Sequence, residues 1–193
     1  MKNLFNEIRI SLVATLFLAI ILCGIYPALV WVAAQAVFHD KANGSLIVKN
    51  GRIVGSSLLA QRFTGAKYFH SRPSAAGAGY DAANSGGSNL GPLSKKLIDD
   101  IGGRIRDYRA ENSLPPETKV PADAVTVSGS GLDPHISVEN ASLQAVRVAR
   151  ARGMDEESVQ SKIAAYTEGR TLGIFGEPRV NVMLLNLDLD GGK

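Results

Sequence analysis

From Ile10 to Phe38 the chain carries no charged side chain for 29 residues, ISLVATLFLAIILCGIYPALVWVAAQAVF. A bilayer core about 30 Å thick needs roughly 20 helical residues, so this run can span one with length to spare. Pro27 would break a helix in water. A membrane helix tolerates it, because nearby groups re-satisfy the freed carbonyl. Tyr26 and Trp31 suit the interfacial belt at one end of the span. Gly24 and Ala28 form a small-xxx-small pair that lets a second helix approach closely. Small residues are also simply common in membrane helices, and both readings stand. Ala34-Gln35-Ala36 fits a signal-peptide cleavage site, but the apolar run exceeds the roughly 7 to 15 residues of such signals. The expectation is an uncleaved anchor in residues 1–38, spanning about 10–34, followed by a soluble domain in residues 39–193.

Charge does not settle orientation. Lys2 and Arg9 precede the span, and Lys41, Lys49 and Arg52 follow it. A large following domain translocates largely regardless of these counts. The sequence alone leaves the topology open.

The rest of the chain is nearly balanced in charge. From His39 onward there are 19 Lys/Arg against 17 Asp/Glu, too even for a dedicated nucleic-acid binder. The single cysteine, Cys23, excludes an intrachain disulfide.

The patterning predicts an α+β domain with a Gly/Ser-rich insert. Leu46-Ile47-Val48 and Ile53-Val54 flank Asn50-Gly51, the strongest short signal for a β-hairpin. Gly65 to Gly91 is rich in Gly, Ser, Ala and Asn, yet holds Tyr68, Phe69, His70 and Tyr80. That aromatic content points to an ordered loop rather than a tether. Leu93, Leu97, Ile98, Ile101, Ile105 and Tyr108 have helical spacing, interrupted by Gly102-Gly103 at roughly 1 kcal/mol per glycine. This is one interrupted helix or two short ones. Val125 to Val127 is expected to be a short strand. Ser137 caps a helix running to Arg152, with Gly153 as its left-handed terminator. Asp155 caps the next helix, which Gly169 is expected to stop. Val180 to Leu189 alternates and then shifts phase, which predicts a bulged or doubly buried strand.

The catalytic inventory is mostly negative. There is no G-x-x-x-x-G-K-S/T loop, no G-x-S-x-G elbow, no H-E-x-x-H and no Asp-Lys-Thr-Gly of the phosphorylated ion pumps. His39, His70 and His135 lack ligand spacing, so no metal site is expected. No catalytic residue is assigned. The densest segment is Ser128 to Ser137, a Gly/Ser-rich turn that feeds a helix N-terminus. Ser130, Asp133 and His135 are candidates for anion or partner contact; a rigid cap with an Asp-Pro turn is the other reading, and the simpler one. Arg147 and Arg150 are candidates to meet phosphate or a partner's carboxylates, against a solvated helix face.

These segments carry a resemblance. Gly44-Ser-Leu-Ile47, Tyr68-Phe-His-Ser-Arg-Pro-Ser74, Gly87-Ser-Asn-Leu-Gly-Pro92, Ser130-Gly-Leu-Asp-Pro-His-Ile-Ser137, Arg147-Val-Ala-Arg-Ala-Arg152, Arg179-Val-Asn-Val182 and Leu185-Asn-Leu187 follow one another in fixed order. The chain resembles the C subunit of the Kdp-type high-affinity potassium-transporting ATPase nearly end to end. The resemblance implies a non-catalytic accessory subunit of an ATP-driven potassium uptake complex. Its implied partners are a potassium-channel-like subunit, a P-type ATP-hydrolysing subunit and membrane lipid. The implied role is assembly, together with a catalytic-chaperone effect on ATP use. No covalent cofactor is implied; ATP is the one small molecule the resemblance suggests, and Gln144 matches the position proposed to touch nucleotide. A domain outside the cell cannot contact cytoplasmic ATP, so any effect from there is a coupling between distant sites. Two other classes remain: a signal-anchored extracytoplasmic enzyme using Ser128, Ser130, Asp133 and His135, and a purely structural membrane-anchored partner.

Overall fold

A computed structural model describes residues 2–191. The chain divides into two compact units, Met1–Leu46 and Ile47–Lys193.

The first unit is helical. Helix α1 (Lys2–Ala19) runs through a π-helical turn at Ile20–Ile25 into α2 (Tyr26–Val37). A continuous apolar helix thus covers Asn3–Val37, 35 residues and about 50 Å at 1.5 Å per residue. It is long and apolar enough to cross a membrane. The π turn sits where Pro27 removes a backbone donor. Next to it, the Tyr26 N–H donates to the Ile21 carbonyl five residues back, so the wider turn absorbs the proline. Gly24 and Ala28 line a shallow apolar groove with Ala19 and Cys23. A short α3 (His39–Ala42) follows.

Strands β1 (Leu46–Lys49) and β2 (Arg52–Ser56) form the expected hairpin. Asn50 at φ +52° and Gly51 at φ +73° supply the left-handed pair that a two-residue turn requires.

In the second unit, the insert between β2 and the next helix is irregular but held. Phe69 and Ala76 are fully buried. The Ser74 hydroxyl donates to the Gly131 carbonyl (2.6 Å) and accepts from the Ala76 and Tyr80 N–H groups. Helix α4 (Lys95–Glu111), capped by Ser94, runs unbroken through Gly102-Gly103. Tertiary bonds from Arg104 to the Val125 carbonyl and from Tyr108 to Asn140 hold the half of the helix that follows the glycine pair.

Two strand expectations fail. Ala122–Val125 is a short helix, α5, entered from Pro121, and Thr126 closes it by donating its hydroxyl to the Ala122 carbonyl. Of Val180 to Leu189, only the start belongs to a strand. Strand β5 (Arg179–Asn181) gives way to α8 (Val182–Leu189). The Asn181 side chain accepts from the Leu184 N–H (3.1 Å) and caps the helix. The apparent phase shift at Leu184-Leu185 is the onset of helical periodicity.

The central layer is the three-stranded antiparallel sheet β3-β5-β4, with β3 at His135–Ser137 and β4 at Thr167–Glu168. Ile136 pairs with Val180, and Val180 with Thr167. Helix α6 (Val138–Arg152) has Ser137 as its cap, and Gly153 at φ +64° ends it. Helix α7 (Glu156–Ala165) is capped by Asp155 and stops at Tyr166, three residues before Gly169. Its chain must turn there to place Thr167 and Glu168 beside β5. Ala141, Ala145 and Val148 of α6 pack with Val159 and Ile163 of α7, Val180 and Leu185. Small residues on α6 allow the close approach of α7.

Candidate functional site

The segments singled out in the sequence converge on one stretch of irregular backbone, residues 66–74. Such a stretch has no ladder to satisfy its peptide groups, and burial without partners is costly. Side-chain amides take the place of a neighbouring strand. Asn186 of α8 accepts from the Phe69 N–H (2.8 Å) and donates to the Phe69 carbonyl (2.9 Å). Gln144 of α6 does the same one residue on, accepting from the His70 N–H (2.7 Å) and donating to the His70 carbonyl (3.2 Å). Arg147 donates to the Ala66 and Tyr68 carbonyls (2.6 and 2.9 Å). Arg152 donates to those of Lys67 and Leu189 (2.6 and 2.7 Å) and pairs with Asp190.

Gln144 is 1% exposed. Its amide also donates to Asn140 (2.9 Å), and its oxygen accepts from the Arg147 guanidinium (2.9 Å). A glutamine side chain offers two donors and two acceptor positions. All four are used within the protein. Arg147 completes the cluster through Asn112 (2.9 Å), and the Tyr108 hydroxyl donates to Asn140 (2.8 Å). Burial pulls the Arg147 guanidinium below its ordinary range and pushes the Tyr108 phenol up. Asp123 anchors the start of α6 by accepting from Ser137 and Asn140.

The other candidates separate. Arg150, one turn on from the buried Arg147, is exposed. The Ser130 hydroxyl accepts from the Leu132 N–H (3.1 Å) and lies 3.3 Å from the Ser128 hydroxyl. Asp133 accepts from the His135 N–H (3.0 Å) and pairs with Arg72 (3.3 Å). The His135 ring lies between Asp133 (3.5 Å) and Glu168 (3.6 Å). Among the described residues no hydrogen bond joins Ser128 or Ser130 to His135, so the structure shows no assembled nucleophile and base. Nor does any group of three His, Cys, Asp or Glu among them have the arrangement of a metal site.

A cleft of about 650 Å³ opens beside Gln144 and Asn140, rimmed by Arg62, Tyr80, Arg104 and Glu111. The two rim arginines are engaged, Arg62 with the Ala78 carbonyl and Arg104 with that of Val125. His70 bridges the Gly65 carbonyl (3.2 Å) and Glu111 (3.0 Å).

The bond from His70 holds Glu111 below the usual carboxylate range, against the opposing effect of burial. At Asp133 burial is the largest influence and pushes upward, but the bonds from His135 and the charge of Arg72 outweigh it and the net shift is down. Depressed carboxylates contribute stability that is full above their unfolded pKa, about 4, and that is lost as pH falls through the lower folded value. The expected result is a thermal midpoint that falls as pH drops below about 4. Glu111→Gln should flatten that fall; an unchanged acid limb would exclude Glu111 from it.

Sequence comparison assigns the lineage. Residues 8–191 match the family described as KdpC, the K+-transporting ATPase c chain. The chain belongs to the KdpC family. Potassium-transporting ATPase KdpC subunits of Koribacter versatilis, Nitratidesulfovibrio vulgaris and Mycobacterium tuberculosis H37Rv are 50%, 55% and 52% identical to it. The alignments cover 98%, 96% and 98% of this chain and 95%, 96% and 98% of those relatives. KdpC membership makes it a subunit of a potassium-transporting ATPase complex, which the resemblance of its separate motifs implied. Sequence reasoning missed Asn140, Asn186 and Asn112, whose partners lie far away in the chain. Their local signal was an amide beside apolar positions, and Asn186 stood in the Leu185-Asn-Leu187 stretch.

Proposed function

We propose that this KdpC-family chain is a non-catalytic accessory subunit of an ATP-driven high-affinity potassium uptake complex. One helix holds it in the inner membrane, and its soluble domain lies on the periplasmic side. Its partners are a channel-like potassium subunit and a P-type ATP-hydrolysing subunit. It is needed for their assembly and promotes ATP turnover by coupling, without touching ATP. One observation carries this reading: all four hydrogen-bonding positions of Gln144 are spent inside the protein. A nucleotide bound there would have to displace at least one buried bond, at roughly 1 to 3 kcal/mol for each group left unpaired. The two bonds to His70 fix the 66–74 segment to α6, as those of Asn186 to Phe69 fix it to α8. Gln144 therefore acts as a shape-holding residue of the domain that partners dock against.

The test uses the purified complex and a photoreactive ATP analogue, with the intact chain and with a chain ending after Leu46. The expected result is labelling of the hydrolysing subunit alone, and loss of potassium-stimulated hydrolysis with the truncated chain. ATP-protected labelling of this chain would overturn the indirect mechanism. Normal turnover with the truncated chain would reduce the domain to a passive attachment.

A further inference from the structure

Between β4 and β5 the chain makes a finger that the domain's own stability does not explain. Thr171 and Phe175 exchange backbone hydrogen bonds (2.8 and 3.0 Å), and the Ile174 N–H bonds back to Thr171. At its base Arg170 pairs with Glu177 (2.6 Å), and Arg179 with Glu168 (2.9 Å). The tip is therefore stiff. It displays Leu172, Ile174 and Phe175 at 84%, 72% and 63% exposure. Leu172 sits at φ +55°, a conformation that leucine rarely adopts and that here brings it no packing. Three large apolar side chains within four residues, held rigid in water, are the signature of a docking anchor.

We infer that this finger inserts into an uncharged apolar pocket on another subunit of the potassium-transporting ATPase. The inference rests on the subunit reading above. Charge selects a protein over a lipid surface. The flanking Arg170 and Glu177 neutralise one another, and residues 171–176 contain no Lys, Arg, Trp or Tyr to meet headgroups. Rigidity favours the same choice, because a pre-ordered anchor loses little freedom on docking.

The experiment co-expresses the full chain with its complex and isolates the assembly through a tag on another subunit. Recovery of the unaltered chain tests the subunit reading separately. The combined variant Leu172→Ser, Ile174→Ser, Phe175→Ser should keep its thermal midpoint in detergent, since none of the three is buried. Its recovery should fall on the order of tenfold, as for loss of an anchor cluster. As a second readout, Phe175→Cys in a Cys23→Ser background should react with maleimide when the chain is alone and be protected in the complex. Protection traced by cross-linking to a second copy of this chain would overturn the inference. So would a blue-shifted Phe175→Trp emission, in a Trp31→Phe background, with phosphatidylcholine–phosphatidylglycerol vesicles and the chain alone. Undiminished recovery together with free labelling in the complex would overturn it as well.

Discussion

Gln144→Leu is expected to lower the thermal midpoint of the chain by roughly 10 °C, an effect on the order of 4 kcal/mol. Leucine has similar volume, so little cavity forms. The loss comes from the partners left behind. The His70 N–H and carbonyl, the Asn140 amide and one arm of the Arg147 guanidinium all lose a bond in a buried region. A buried charged donor without an acceptor is the most costly of these. Asn186→Leu should act in the same direction through Phe69, since it breaks the matching pair one residue earlier. Thermal unfolding of the detergent-solubilised chain checks both. A Gln144→Leu chain that unfolds at the unaltered temperature, while its complex needs more ATP, would assign the residue to nucleotide contact.

The second large effect is expected at Gly131. Its φ of +69° is one that a side chain disfavours, and a β-carbon there would stand 2.7 Å from both the Ala76 nitrogen and the Gly86 oxygen. Both neighbours are backbone and cannot swing aside. This is where the Ser128–Ser137 turn crosses the Gly/Ser-rich insert, with Gly86 bonded to the Ser130 carbonyl (2.9 Å) and Ser74 to the Gly131 carbonyl. Gly131→Ala should therefore cost about 3 kcal/mol or more, combining left-handed strain with a backbone collision. Gly153→Ala is the matched control. Its φ is +64°, but nothing lies within 4 Å of the added carbon, so about 1 kcal/mol is expected. Equal effects at the two positions would remove the crossing as the reason for a glycine at 131.

What the sequence made legible was local chemistry. Asn50-Gly51 fixed a turn whose two residues must both have positive φ. Ser137, Asp155 and Gly153 marked helix ends because capping needs only groups three or four residues apart. Where local signals competed, the reading failed. Val182 to Leu189 is apolar around most of its circumference, so alternation and helical periodicity could not be told apart until the Asn181 cap was seen. Gly169 looked like a helix terminator, but the pairing of Thr167 and Glu168 with β5 ends the helix earlier.

The site was legible only in part, for the same reason. Gln144 and Arg147 do share a face of α6, as their spacing required. Whether that face met solvent or backbone depended on residues 74 to 81 positions away in the chain. Arg147 and Arg150 read alike as basic helix residues, yet one ties down the 66–74 segment and the other is exposed. Asn186 lies 117 residues from the peptide group it serves, beyond the reach of any local pattern.

The side of the membrane occupied by the soluble domain is the measurement that decides between coupling and contact. Cys23 is the single thiol, so Cys23→Ser with Ser161→Cys places one reactive group on the exposed surface of α7. Intact cells would be treated with a membrane-impermeant maleimide beside a permeabilised control. Full labelling in intact cells is expected if, as proposed, the domain lies on the periplasmic side and acts on ATP use from across the membrane. Labelling only after permeabilisation would contradict it.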